Sequence, residues 1–161
     1  MYLEQIYNTL TSIEKILRGI VLTVISTLTA FITILIFIQV IFRYVLLSSL
    51  SWSEELARFC VVWVVFIGSG YALSIGAHSN MDIFVRLFPE KLRWVIEKFN
   101  ALIILFFSGV IVRYGIALVI LGAKQKSSAL LIPMNYVYLA IPVGGLILLF
   151  YDLLILLKKS R

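Results

Sequence analysis

The chain has 161 residues, 62% of them hydrophobic, with 14 Lys or Arg against 8 Asp or Glu for a formal charge of +6. So apolar a composition belongs in a bilayer, and a basic excess without a clustered basic face sets membrane topology and excludes nucleic-acid binding. A single cysteine, Cys60, excludes an intrachain disulfide and a single histidine, His78, excludes bis-histidine haem ligation, so no cofactor, no metal site and no catalytic residue is expected.

At the start of the chain Leu3, Ile6, Tyr7, Leu10, Ile13 and Leu17 recur at helical spacing, with Glu4, Asn8, Ser12 and Lys15 on other faces. This pattern predicts an amphipathic N-terminal helix at the membrane interface. An uncharged run bracketed by Arg18 and Arg43 follows, and residues 20–42 as a helix rise about 35 Å, enough to span the hydrocarbon core with some tilt. The run is too long for a signal-peptide core and no small-residue cleavage site follows it, so a retained first span is expected.

A second span is expected over residues 59–77, a third over 99–123 interrupted only by Arg113, and a fourth over 130–157. The fourth contains Pro133, Pro142 and Asp152; a proline inside a span frees a carbonyl one turn earlier, which predicts a kink near Tyr138 to Pro142. Between the second and third spans, Ile83, Leu87, Leu92, Val95 and Phe99 alternate with Arg86, Lys91, Arg93 and Lys98, the pattern of an amphipathic connector lying at the surface. The expected fold class is therefore all-α, a polytopic integral membrane protein with four transmembrane helices and a single membrane domain over residues 1–161.

With four spans, the amino terminus, the middle connector and the tail share one side and carry nine Lys or Arg, whereas the other side carries four: Arg43, Arg58, Lys124 and Lys126. The positive-inside bias then places both termini in the cytoplasm.

The segment Ser51-Trp52-Ser53-Glu54-Glu55-Leu56-Ala57-Arg58 keeps three charges at the outer edge of the second span. Ser51 and Glu54 have capping-box spacing, Glu54 and Glu55 suit a first helical turn, and Arg58 can reach either carboxylate along one face, while Trp52 suits the headgroup boundary. Two uses are open: an ordinary helix start at a membrane surface, or charges that enter the membrane edge and hold a second helix or another subunit. Arg113, deep in the third span, either snorkels towards Glu54 and Glu55 or points at a partner protein, and Asp152 is expected to pair with a cytoplasmic lysine. Gly68, Ala72 and Gly76 form a smooth ridge on the second span, repeated by Ala140 and Gly144 on the fourth, which predicts close helix packing. His78 and Asp82, four residues apart, read as a surface hydrogen bond or a turn cap, since one histidine with one carboxylate is a weak metal signal.

Arg43-Tyr44, the Trp52 to Phe59 block, and Gly76-Ala77-His78-Ser79-Asn80-Met81-Asp82 at the far end of the second span together resemble the small membrane subunit of tripartite ATP-independent periplasmic (TRAP) transporters. The resemblance covers nearly the whole chain. It implies a non-enzymatic scaffold in the bacterial inner membrane, partnered by a large TRAP membrane subunit and a periplasmic substrate-binding protein in ion-coupled uptake of an organic acid, usually with sodium. On that reading Glu54, Glu55 and Arg58 fix the outer end of the second span against its neighbours. A self-sufficient small channel or exporter is the alternative, and it would need a polar stripe along a span that the isolated Arg113 and Asp152 do not supply.

Overall fold

A computed structural model describes residues 2–48, 50–75 and 89–159. The chain forms α1 (Tyr2–Tyr44), α2 (Ser51–Ser74), α3 (Glu90–Gly122), the four-residue α4 (Asn135–Tyr138) and α5 (Ala140–Lys159). Among the described residues four stretches are long and apolar enough to cross a membrane: Ser12–Tyr44, Ser51–Ser74, Lys98–Gly122 and Asn135–Leu156. The all-α, four-span fold class is thus as the hydropathy pattern predicts.

The boundaries differ from that pattern in an instructive way. The amphipathic turns at the start of the chain and the first span are one uninterrupted helix, because nothing between them breaks helical hydrogen bonding. As a rod, Ser12–Tyr44 rises about 50 Å, well over the roughly 30 Å hydrocarbon core, so the turns bearing Lys15 and Arg18 run past it. α2 starts at Ser51, eight residues before the expected edge of its span, so that Glu54, Glu55 and Arg58 all lie within the helix. The second half of the amphipathic connector likewise continues into the third span as α3. Gly76, His78, Asp82 and the first half of that connector lie outside the described residues.

Where the kink in the fourth span was expected, the helix is interrupted between α4 and α5 at Leu139, which itself keeps right-handed helical dihedrals. Pro142 has no N–H to give the Tyr138 carbonyl, while the bonds Leu139 N to Asn135 O (2.9 Å) and Val143 N to Leu139 O (3.2 Å) carry the chain across the break. Pro133 lies before α4, in the connecting loop.

α1 packs on α2, α2 on α5 and α5 on α3, so the helices form a row, α1–α2–α5–α3, and not a closed bundle. Accordingly the spans of α1 and α3, at the two ends of the row, are the least buried, and that of α4 and α5 is the most. Small residues set the inner seams. A Cβ built at Gly144 would stand 2.5 Å from the Phe66 carbonyl oxygen of α2, and one at Gly115 would stand 2.9 Å from Pro142 Cδ. Gly70 is equally crowded by Ile147, and Ala140 is fully buried. Gly68, by contrast, has only Ile25 Cδ1 at 3.8 Å, an ordinary contact, and Ala72 is half-buried, so the close approach of α2 falls on Gly70 and not on the ridge through Gly68. The Arg18 guanidinium stacks over the Tyr71 ring at 5.7 Å and ties α1 to α2 at the end of the row that carries the chain termini.

Candidate functional site

The polar groups of interest gather at the opposite end of the row, where α1 turns into α2 and α3 turns into α4. α1 ends in a tight reversal in which Ser48 N bonds Phe42 O at 3.1 Å and Leu47 adopts φ 51°, a left-handed conformation that few side-chain-bearing residues take. The capping box anticipated from Ser51 and Glu54 does not form. Leu50 occupies the N-cap position without a side-chain hydrogen bond, and the buried Ser53 hydroxyl donates to Leu50 O at 2.7 Å.

That leaves both glutamates free of capping duty, and their fates diverge. Glu54 accepts a hydrogen bond from Arg58 at 3.2 Å, one helical turn on, with both side chains more than half exposed. Glu55, one residue later and about 100° further round the helix, is only 6% exposed and turns away from Arg58. It enters the loop between α3 and α4, where Oε1 accepts from Ser128 N at 3.0 Å and Oε2 accepts from Ala129 N at 3.0 Å and Leu130 N at 2.8 Å.

The loop is built to present those three donors. Met134 N bonds Gln125 O and Ser127 N bonds Ile132 O, both at 2.9 Å, which closes residues 125–134 into a narrow hairpin. The buried Ser127 hydroxyl accepts from Ile132 N at 3.2 Å, and Leu131, at φ 55°, turns the tip so that successive N–H groups converge. Such a run of backbone amides is a ready anion cradle, and here a carboxylate of the same chain fills it. A charge-assisted bond to backbone N–H is stronger than a neutral one, and Glu55 makes three, so α2 is locked to the loop that joins α3 to α4.

Beside this lock, Arg43, Glu54 and Arg58 come together with Gln39 around a cleft of about 620 Å³ between α1 and α2, whose inner wall is Ile36, Ala57, Val61 and Val62. The Arg43 guanidinium also lies 6.0 Å from the Tyr44 ring, and Trp52 is partly exposed nearby on the chain. The sequence pattern thus found Arg43, Glu54, Glu55 and Arg58 but missed the cradle of Ser127 to Leu130, because backbone amides leave no mark in side-chain identity.

Arg113 is exposed and does not pair with Glu54 or Glu55, since Arg58 takes the first and the loop takes the second. Asp152 is 1% exposed and its Oδ2 has no hydrogen-bond partner, while the side chains of Lys158 and Lys159, the lysines on its own helix, lie outside the described ones. No group of three His, Cys, Asp or Glu side chains that could hold a metal is found among the described residues.

Comparison with known proteins places this arrangement in context. Residues 32–161 match the family model for the tripartite ATP-independent periplasmic transporters, DctQ component. The chain is 33% identical over 105 residues to the C4-dicarboxylate TRAP transporter small permease protein DctQ of Rhodobacter capsulatus, a match covering 63% of this chain and 46% of that protein. It is 27% identical over 128 residues to a putative TRAP transporter small permease protein of Haemophilus influenzae, covering 79% of this chain and 77% of the other. A third match, 28% over 112 residues, is to the sialic acid TRAP transporter permease protein SiaT of Haemophilus influenzae, and covers 70% of this chain but 18% of SiaT. Against the Rhodobacter protein and SiaT the chain therefore spans less than half the relative's length.

Proposed function

This chain belongs to the DctQ component family of the tripartite ATP-independent periplasmic transporters, and on that premise we propose that it is the small, non-transporting scaffold subunit of such a system. It packs against a large membrane subunit in the bacterial inner membrane, both termini in the cytoplasm, while a periplasmic binding protein delivers an organic acid and an ion gradient, sodium by choice, drives uptake. It is not an enzyme. The names of its relatives make C4-dicarboxylates and sialic acid the first substrates to test.

The observation that carries this reading is the Glu55 cradle. Transport sites are typically built from interrupted helices with convergent polar groups near the bilayer midplane. Here Glu55, the buried carboxylate at the edge of α2, is spent on three backbone amides of its own chain and holds two helix pairs in fixed register. Such a lock suits a stationary part. The cleft beside it, with Arg43, Glu54 and Arg58 at the mouth, faces the periplasm in this orientation and is available to a docking protein.

Proteoliposomes test the division of labour. Those holding this chain alone should take up neither C4-dicarboxylate nor sialic acid under a sodium gradient, and uptake should appear when the large subunit and binding protein are added. Saturable uptake by this chain alone would refute the scaffold reading.

A further inference from the structure

We propose that the face of α3 centred on Arg113 is the surface that receives the large subunit, and that the partner presents there a transmembrane helix carrying a carboxylate. This rests on the small-subunit reading above and adds to it a face and a chemistry.

Between Lys98 and Gly122 the only charged residue is Arg113. It stands nine residues before the end of α3 and fifteen after Lys98, so its Cα lies about 14 Å from one end of the span and about 22 Å from the other. A charged group at such depth normally finds a partner inside protein, and Arg113 has none among the described residues of this chain.

Its direction on the helix is fixed by the opposite seam. Ala101, Ser108, Gly115 and Gly122, seven residues apart, are the buried positions among the described side chains of α3, and Gly115 and Gly122 press against α5 and α4. Arg113 is two residues from Gly115, about 200° around the helix, so it points away from the row. Its neighbours one turn either way on the same face are Gly109 and Ala117, both exposed, and a Cβ at Gly109 would meet nothing within 4 Å. Phe106 and Ile120, 75% and 66% exposed, flank them. Two small residues around a lone cation let another helix come close enough for its own short acidic side chain to reach the guanidinium.

The other occupants fit less well. A second copy of this chain would bring Arg113 against Arg113, because the described residues include no exposed carboxylate at that depth: Glu54 is bonded to Arg58 near the start of α2, and Glu55 and Asp152 are buried. Lipid phosphate lies beyond the end of the span, more than two helical turns from the Arg113 Cα. A helix with an Asp or Glu in mid-membrane satisfies both the charge and the shape.

The test is co-purification of the large subunit, co-expressed, on affinity-tagged chain from detergent extracts. Arg113→Ala, Arg113→Glu and Gly109→Leu should each cut the large subunit recovered per chain by roughly tenfold or more. Phe37→Ala, on the exposed face of α1, should leave it unchanged. The yield and size-exclusion profile of each variant expressed alone should match wild type, since Arg113 and Gly109 support nothing among the described residues of the chain. Arg113→Glu should regain the partner when one mid-span Asp or Glu of the large subunit is changed to Arg. If wild type recovers the large subunit and all three α3 variants recover it equally, the face is turned to lipid and this inference fails alone. If wild type recovers no large subunit, the small-subunit reading fails first. A disulfide between two copies carrying Gly109→Cys in a Cys60→Ala background would assign the face to a homodimer and overturn the proposal.

Discussion

Glu54 and Glu55 are adjacent in sequence and do different work. Glu54 shares an exposed pair with Arg58, an arrangement that contributes about 0.3–0.5 kcal/mol. Glu55 gives two oxygens to three N–H donors in a buried setting, and a glutamine there would keep the shape while turning an amide N–H₂ towards the donors. Glu55→Gln is therefore predicted to lower the melting temperature in detergent by clearly more than Glu54→Gln, whose shift should stay within about 2 °C. Intrinsic tryptophan fluorescence of the purified chain reads both, and equal shifts would contradict the distinction. The Glu54–Arg58 pair was legible in the sequence because i, i+4 spacing on a helix fixes geometry locally. Glu55 was legible only as a charge needing an explanation. Its partners lie 73 to 75 residues away and are backbone amides, so composition carried no trace of them.

Among the elements, the inner seams of the row depend on glycine. Gly144 meets Phe66 backbone of α2, which cannot yield as a flexible side chain would, whereas Gly68 has room for a methyl group against Ile25. Gly144→Ala should thus cost about 1–3 kcal/mol and Gly68→Ala close to nothing, compared by unfolding in mixed micelles of increasing denaturant. A Gly144→Ala chain as stable as wild type would show that the seam is looser than its geometry. The four spans were legible because long apolar runs announce themselves, and the break before Pro142 because proline removes a hydrogen bond. Helix ends were less so: α1 and α3 run on through polar flanks that hydropathy assigns to the interface, and helical bonding does not stop where hydrophobicity does. The ridge through Gly68 and Ala72 has helix-packing spacing, but the closest approach of α2 within the chain falls on Gly70, since a four-residue period in an apolar stretch does not say which side meets a neighbour.

As a whole molecule the chain is an open row of helices with large apolar faces left uncovered, a shape suited to lying against a bigger membrane partner. From the basic asymmetry along the sequence we propose that the row stands with its Glu55 end outward. An impermeant thiol reagent applied to intact spheroplasts should label Gln125→Cys in the exposed part of the outer loop and not Ser12→Cys, each in a Cys60→Ala background; labelling at Ser12 without lysis would reverse the orientation. Whether this chain supports transport without touching what is transported can be read from substrate-dependent uptake by the assembled three-part transporter carrying Glu55→Gln, normalised to the amount of complex present. Fewer complexes are expected, with wild-type turnover and wild-type half-saturating substrate concentration in each; a normal amount of complex with an altered half-saturating concentration would show that the chain touches the substrate.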